Sequence, residues 1–246
     1  MAGLDWLTAR PVAHRGLHDA AHGVIENTPS AFAAAIAGDY AIECDLRLSR
    51  DGEAMVFHDR TLERLTEIDG EVASRTADEL GRVAFRNTSD RMLTLAQLCE
   101  QVAGRVTLIL EMKSDFDGDP RLPTRVADVL RAYAGPVAAM SFDPAQIAAL
   151  AEAAPGLPRG IVAERRSGDP EWARPGARAR LTHLARAVRV RPHFVAYAVR
   201  DLPALAPLAA RWLFGLPLLT WTVRTPQERA CAARWADQMI FEGFRP

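Results

Sequence analysis

Two carboxylates interrupt an apolar run, residues 41–46, that otherwise reads as a buried strand: Glu43 and Asp45. Alternate residues of a strand share a face, so the two acids project together. Acids crowded against a low-dielectric wall repel each other and resist ionisation unless something positive sits between them. A divalent cation would meet that need; the competing reading is a surface strand with two solvated acids. Three further apolar runs also finish in groups able to do chemistry. The first, from Arg10, ends in His14 and Arg15. Another, from Glu53, stops at His58 and Asp59, and a third, from Thr107, carries Glu111 and Lys113. One site assembled from several strand ends accounts for all four.

The basic residues sharpen this. All but one of the 30 are arginine, and the exception is Lys113, two positions after Glu111 on the same strand face. A compact ammonium with rotatable donors differs from a planar guanidinium in what it can hold.

Elements able to position these groups follow from the hydrophobic pattern. Strands are expected at 11–14, 41–48, 107–113, 136–142, 159–163, 193–198, 217–223 and 237–241. Between them lie helical patterns: one opening at Thr28 and Pro29 and closing at Gly38, then 93–102 with Thr94 as cap, 121–133, 144–153, 177–188, 201–211 and 225–235. Eight strands in βα alternation give a (β/α)8 TIM barrel. An open doubly wound sheet is the alternative. The barrel is preferred because polar residues fall repeatedly at strand C-terminal ends and no Gly-rich dinucleotide loop follows the first strand. Residues 1–246 then form a single domain. The polar stretch at about 60–92, with a short helix around 76–80, is a small insertion over one end. His18 and His22 fall in a loop over 17–27 and are expected in solvent.

A chain of 246 residues with 49% apolar composition can bury a large core, and a formal charge of −1 gives no general attraction to nucleic acid or membrane. The most apolar stretch, Ala204 to Trp221, contains Pro207, Arg211 and Pro217 and fails as a membrane span. The start of the sequence lacks a secretory pattern, and the widely spaced Cys44, Cys99 and Cys231 suit reduced thiols; both point to the cytoplasm. An arginine-rich segment at 159–192 reads as a solvated helix face before it reads as an anion-binding patch.

Taken in order, His14-Arg15-Gly16, Glu26-Asn27-Thr28, Glu43 and Asp45, Asp51-Gly52 leading to His58-Asp59, then Glu111 and Lys113, resemble the glycerophosphodiester phosphodiesterase family. Ser141-Phe142 and Trp221-Thr222-Val223 extend the resemblance over almost the whole chain. It implies a metal-dependent barrel that splits glycerophosphodiesters into glycerol 3-phosphate and an alcohol. Carried over, it implies that Glu43, Asp45 and Glu111 hold one divalent cation, Mg²⁺ or Ca²⁺. His14 and His58 would be the acid/base pair, and Arg15 and Lys113 would hold the phosphate. From the residues themselves, Trp221 either lines the substrate pocket or fills the barrel mouth, Glu26 and Asn27 anchor their loop to the site, and Asp59 orients a neighbour or caps a turn. The partner implied is a small-molecule glycerophosphodiester. The chain departs from the family pattern at Arg224, where Asn is common, and at Phe241-Glu242-Gly243-Phe244, where an Asp-containing motif is usual. Both departures bear on headgroup preference.

The residue types suit this reaction on chemical grounds. A phosphodiester is anionic, so its site must neutralise it and stabilise charge growing on the leaving oxygen; hard oxygen ligands favour Mg²⁺ or Ca²⁺ over zinc. Two imidazoles can exchange proton-accepting and proton-donating roles. Competing functions are a phospholipase D-like hydrolase with a greasy rim drawn from 202–218, a glycosidase, which needs neither Lys113 nor two histidines, and a non-catalytic anion-binding barrel.

Overall fold

The structure, a computed structural model, describes residues 3–165 and 189–246. The expected helix over 177–188, and most of the arginine-rich segment 159–192, lie outside the described residues.

Eight parallel strands close into a barrel: β1 (Val12–Ala13), β2 (Ala41–Leu48), β4 (Leu108–Met112), β5 (Val137–Ser141), β6 (Arg159–Ala163), β7 (Phe194–Ala198), β8 (Leu218–Val223) and β9 (Gln238–Phe241). Closure comes from β1, which pairs in parallel with both β2 and β9. A ninth strand, β3 (Ala54–Val56), is an antiparallel hairpin partner of β2 outside the ring. This is the TIM barrel that the βα alternation predicts.

Strand parity sorts side chains into two cores. Ile42, Cys44 and Leu46 of β2, with Leu108, Leu110 and Met112 of β4, join the outer layer that packs against helices. Val12, Ala41, Ile109, Met140, Val162, Phe194, Leu219 and Ile240 fill the barrel interior. Gly160 belongs to this inner packing, because a Cβ there would lie 2.3 Å from the Phe194 ring. Below, α1 (Asp5–Thr8) plugs the N-terminal ends of the strands with Leu7, backed by Leu4 and Trp6. The bottom of the barrel is therefore dry, and side chains further along the same inward columns face its other end.

The outer helices are α2 (Pro29–Ala37), α4 (Leu95–Val102), α5 (Arg121–Leu130), α6 (Pro144–Ala153), α7 (Leu205–Phe214) and α8 (Pro226–Trp235). Thr94 caps α4 as expected, in a reciprocal capping box with Gln97. Thr28 precedes α2, but its hydroxyl donates to the Ile25 carbonyl instead of accepting from the helix. Gly38 follows α2 with negative φ; glycine is needed there because a Cβ would meet the Tyr40 ring at 2.6 Å. α7 starts later than the expected 201, since Leu202 precedes Pro203 and is disfavoured in helical conformation.

Between β3 and α4 the chain makes its polar excursion, with the short α3 (Ala77–Gly81) capped by Thr76 and Glu79. Phe57, Leu62, Val72, Leu80, Phe85 and Met92 form a separate cluster beneath it. Among the described residues no helix is long and apolar enough to cross a membrane.

Candidate active site at the strand C-terminal ends

Four inward columns that begin apolar end polar. Val12 leads to His14, Ala41 to Glu43 and Asp45, Ile109 to Glu111 and Lys113, and Ile240 to Glu242. The register sets Asp45 of β2 opposite Glu111 of β4. One oxygen from each of Glu43, Asp45 and Glu111 lies within 4.8 Å of the others, and all three residues are buried.

Neighbouring groups are arranged around this trio. Lys113 Nζ donates to Glu111 Oε1 at 2.6 Å and pairs with Asp45 Oδ1 at 2.8 Å. Arg15 Nε lies 3.2 Å from Asp45 Oδ2, and its backbone N–H donates to Glu43 Oε2 at 3.0 Å. That contact needs a tight turn: Arg15 has φ of 56°, and at Gly16 (φ 80°) a Cβ would come within 2.9 Å of Ala31. Asn27 clamps Asp45 twice, its Nδ2 donating to Oδ2 at 2.9 Å and its Oδ1 accepting from the Asp45 backbone.

The trio does not titrate uniformly. Burial, then repulsion from Asp45 and Glu111, pushes the Glu43 carboxyl well above the usual range despite Arg15 and Lys113. Burial opposes ionisation of Asp45 too, but Lys113, His58 and Arg15 outweigh it and hold that carboxyl well below the usual range. Glu43 Oε1 is buried with no hydrogen-bond partner among the described residues. An oxygen so placed fits a cation, since an unmade bond to a buried carboxylate is costly. Charge agrees with this fit. Once a dication holds all three carboxylates ionised, their charge together with Lys113, Arg15 and the ion sums to one positive, which suits an anionic ligand.

Both histidines stand at this rim, each on a carboxylate. His14 Nδ1 lies 2.7 Å from Glu242 Oε2, and its Nε2 faces Glu43 Oε2 at 3.9 Å. Burial, then Arg15, pushes His14 down to about 4 although Glu242 pulls the other way. His58 Nδ1 lies 2.6 Å from Asp59 Oδ1, and Arg47 Nε donates to the His58 carbonyl at 2.7 Å. The Phe57 N–H donates to the Asp45 carbonyl, which brings His58 beside the acidic column. Arg64, from the excursion, donates to both Asp59 oxygens and to Glu26, which also accepts from Arg15 at 2.6 Å. Burial would raise Glu26, yet Arg64 and Arg15 bring it down to about 2. Asp59 and Glu26 thus meet as one network that ties His58 to Arg15.

Trp221 flanks this end of the barrel, packed edge-on against Phe142 at 5.5 Å, with its indole N–H buried and unpartnered among the described residues. His22 is exposed, as expected. His18 is not: it is largely buried, with Nε2 4.0 Å from Glu242 Oε2. The loop turns back over the barrel because Leu17 N–H and Asn27 N–H bond to the Ala31 and Arg15 carbonyls. Sequence reasoning gave no role to Arg64 and read Glu242 only within a departure from the family pattern that bears on headgroup preference. Glu242 was legible as the next inward position after Ile240, whereas Arg64 carries no periodic signal.

The comparisons with known proteins bear on this rim and on the fold. A glycerophosphodiester phosphodiesterase from Caldanaerobacter subterraneus subsp. tengcongensis is 29% identical over 130 residues, 50% of this chain and 52% of that one. The chain therefore spans about half the length of the curated relative it matches. An Oleispira antarctica phosphodiesterase, solved with the product sn-glycerol-3-phosphate, superposes with a TM-score of 0.76 at 20% identity, covering 96% of this chain and 94% of that one. The Thermotoga maritima glycerophosphodiester phosphodiesterase gives 0.70 at 23% identity over 94% of each. At such identities these likenesses establish the fold. The model of the Glycerophosphoryl diester phosphodiesterase family matches residues 14–244, a span that opens at His14 and includes Glu242, and the chain belongs to that family.

Proposed function

We propose that this chain is a metal-dependent phosphodiesterase that hydrolyses glycerophosphodiesters to glycerol 3-phosphate and an alcohol, within one catalytic domain whose insertion lies at about 60–92. The observation that carries this reading is the buried trio of Glu43, Asp45 and Glu111, with an unpartnered Glu43 oxygen, beside two carboxylate-mounted imidazoles. Family membership supports it, and the product held by the Oleispira phosphodiesterase suggests the product class.

Glu43, Asp45 and Glu111 would hold one Mg²⁺ or Ca²⁺, which supplies charge neutralisation and polarises a phosphoryl oxygen. Arg15 and Lys113 attract the phosphate and keep it against the barrel rim. At roughly 4 Å and an effective dielectric near 20, each such unit-charge attraction is about 4 kcal/mol. His14 and His58 divide the proton work: one accepts from the attacking hydroxyl and the other donates to the leaving alkoxide. Asp59 keeps the His58 ring in place, and Trp221 forms an apolar wall for the substrate's carbon skeleton. The free thiols Cys44, Cys99 and Cys231 support a cytoplasmic setting.

For the lipid alternative, exposed apolar side chains lie at both ends of the barrel: Trp212, Leu213 and Phe214 end α7 just before β8 begins, opposite the site, whereas Leu205 opens α7 after β7 and Phe116 follows β4, on the strand C-terminal side. Comparing lipid with water-soluble glycerophosphodiesters separates the two readings. The decisive assay follows release of glycerol 3-phosphate from several glycerophosphodiesters, with and without chelator. Metal-dependent release is expected; undiminished turnover after chelation removes the metal from the reading, and no release at all removes the activity.

A further inference from the structure

We propose that Glu242 is the positioning residue of His14: it accepts the Nδ1 proton, leaves Nε2 bare toward the acidic trio, and is itself oriented by Arg224. The tautomer stands on geometry alone; its kinetic consequence rests on the phosphodiesterase reading above.

Both residues are presented by rigid backbone. The His14 N–H donates to the Phe241 carbonyl and the Glu242 N–H to the Val223 carbonyl, each at 3.0 Å, so the seam between β1, β9 and β8 fixes their separation. Glu242 Oε2 then meets His14 Nδ1 at 2.7 Å, while Arg224 donates from Nη2 to Oε2 at 3.0 Å and from Nε to Oε1 at 3.3 Å. A carboxylate gripped by a guanidinium on both oxygens is ionised and can only accept, so His14 Nδ1 must donate. A neutral imidazole has one N–H. With it committed to Glu242, the Nε2 lone pair is what faces Glu43, 3.9 Å away. When His14 takes a proton, Glu242 faces the new charge without moving.

Arg224 fixes which oxygen does this work. Oε2 accepts from both Nδ1 and Arg224 Nη2, so in Glu242→Gln an amide oxygen at that place keeps the tautomer while the charge that would face a protonated ring is lost. In Glu242→Leu no acceptor is left for Nδ1, and the ring is free to carry its proton on Nε2, the wrong tautomer for a base. In the serine-protease triad the wrong tautomer costs about 10⁴-fold in kcat. The two variants separate the charge of Glu242 from its hold on the proton.

The test combines kinetics with ¹⁵N-histidine NMR of the full chain, His14 being assigned by its loss in His14→Gln. Wild type is expected to show Nδ1–H and bare Nε2. Glu242→Gln should keep Nδ1–H with a kcat lower by about 10²-fold, and Glu242→Leu should show Nε2–H with a kcat lower by about 10³- to 10⁴-fold, KM changing by less than about threefold in both. An unchanged tautomer with near-wild-type kcat in Glu242→Leu overturns the proposal. Should Glu242→Leu fail to fold, an Nε2-protonated His14 in the wild-type spectrum overturns it and a bare Nε2 upholds it. If the wild type has no phosphodiesterase turnover, the assigned function fails while the spectra still decide the role of Glu242.

Discussion

The two histidines sit on the same kind of mount, a carboxylate backed by an arginine, but the mounts are built from different distances along the chain. His58 leans on Asp59, its immediate neighbour, and Asp59 on Arg64, five positions further. His14 leans on Glu242, 228 positions away, and Glu242 on Arg224, just past β8. One mount is folded by a local excursion, and the other exists only once the first and last strands have met. The second mount therefore reports closure of the whole barrel, while the first depends on the small cluster under residues 57–92.

The sharpest way to break the equivalence is to remove each ring. His14→Ala and His58→Ala should each lower kcat by roughly 10²- to 10⁴-fold. A wild-type rate in either would show that its mount serves structure only. Asp59→Asn tests the local mount alone, and a loss of about 10²-fold is expected in kcat with KM little changed. Arg64→Met leaves Asp59 in place but removes its clamp, so the loss should be about tenfold, the scale of one partly exposed charge-assisted hydrogen bond.

Stability separates the two regions in another way. Glu26, which ties the local mount to Arg15, is depressed from 4.5 to about 2 in the folded chain. A carboxyl lowered on folding contributes stability that is full above its unfolded value and is lost as pH falls through the folded one. Glu26→Gln should therefore cost up to about 3 kcal/mol at neutral pH. It should also flatten the fall in stability between pH 4.5 and about 2, measured by urea unfolding. An unaltered acid profile would mean that Arg15 and Arg64 find other partners. The smallest effect is expected from His22→Ala: an exposed ring bonded to Asp19 should change neither kcat nor, beyond about 0.5 kcal/mol, stability.

Much of this was legible in the sequence because a barrel strand exposes its purpose in alternate positions. Glu43 with Asp45, and Glu111 with Lys113, stood out as polar residues where apolar ones belong, and the same periodicity located the eight strands. For the long-range mount, the inward position of Glu242 and, through barrel closure, the adjacency of the last strand to the first were legible, but nothing local says that the Glu242 side chain takes His14 and Arg224 as partners. His18 was misread for a related reason. Its segment is polar and irregular, and only the hydrogen bonds that fold it back over the barrel bury its ring. The start of α7 shifted because proline at 203 overrides the apolar period that continues through it.

One feature of composition reaches beyond the reaction. The sequence has a single lysine, and its amine is buried among carboxylates that, against the effect of burial, keep its proton on more firmly than usual. Reagents that acylate or cross-link through side-chain amines therefore find no handle on the outside of this molecule. Such reagents should leave the lysine of the native protein unmodified, and any Lys113 adduct that does form marks a molecule whose barrel has opened.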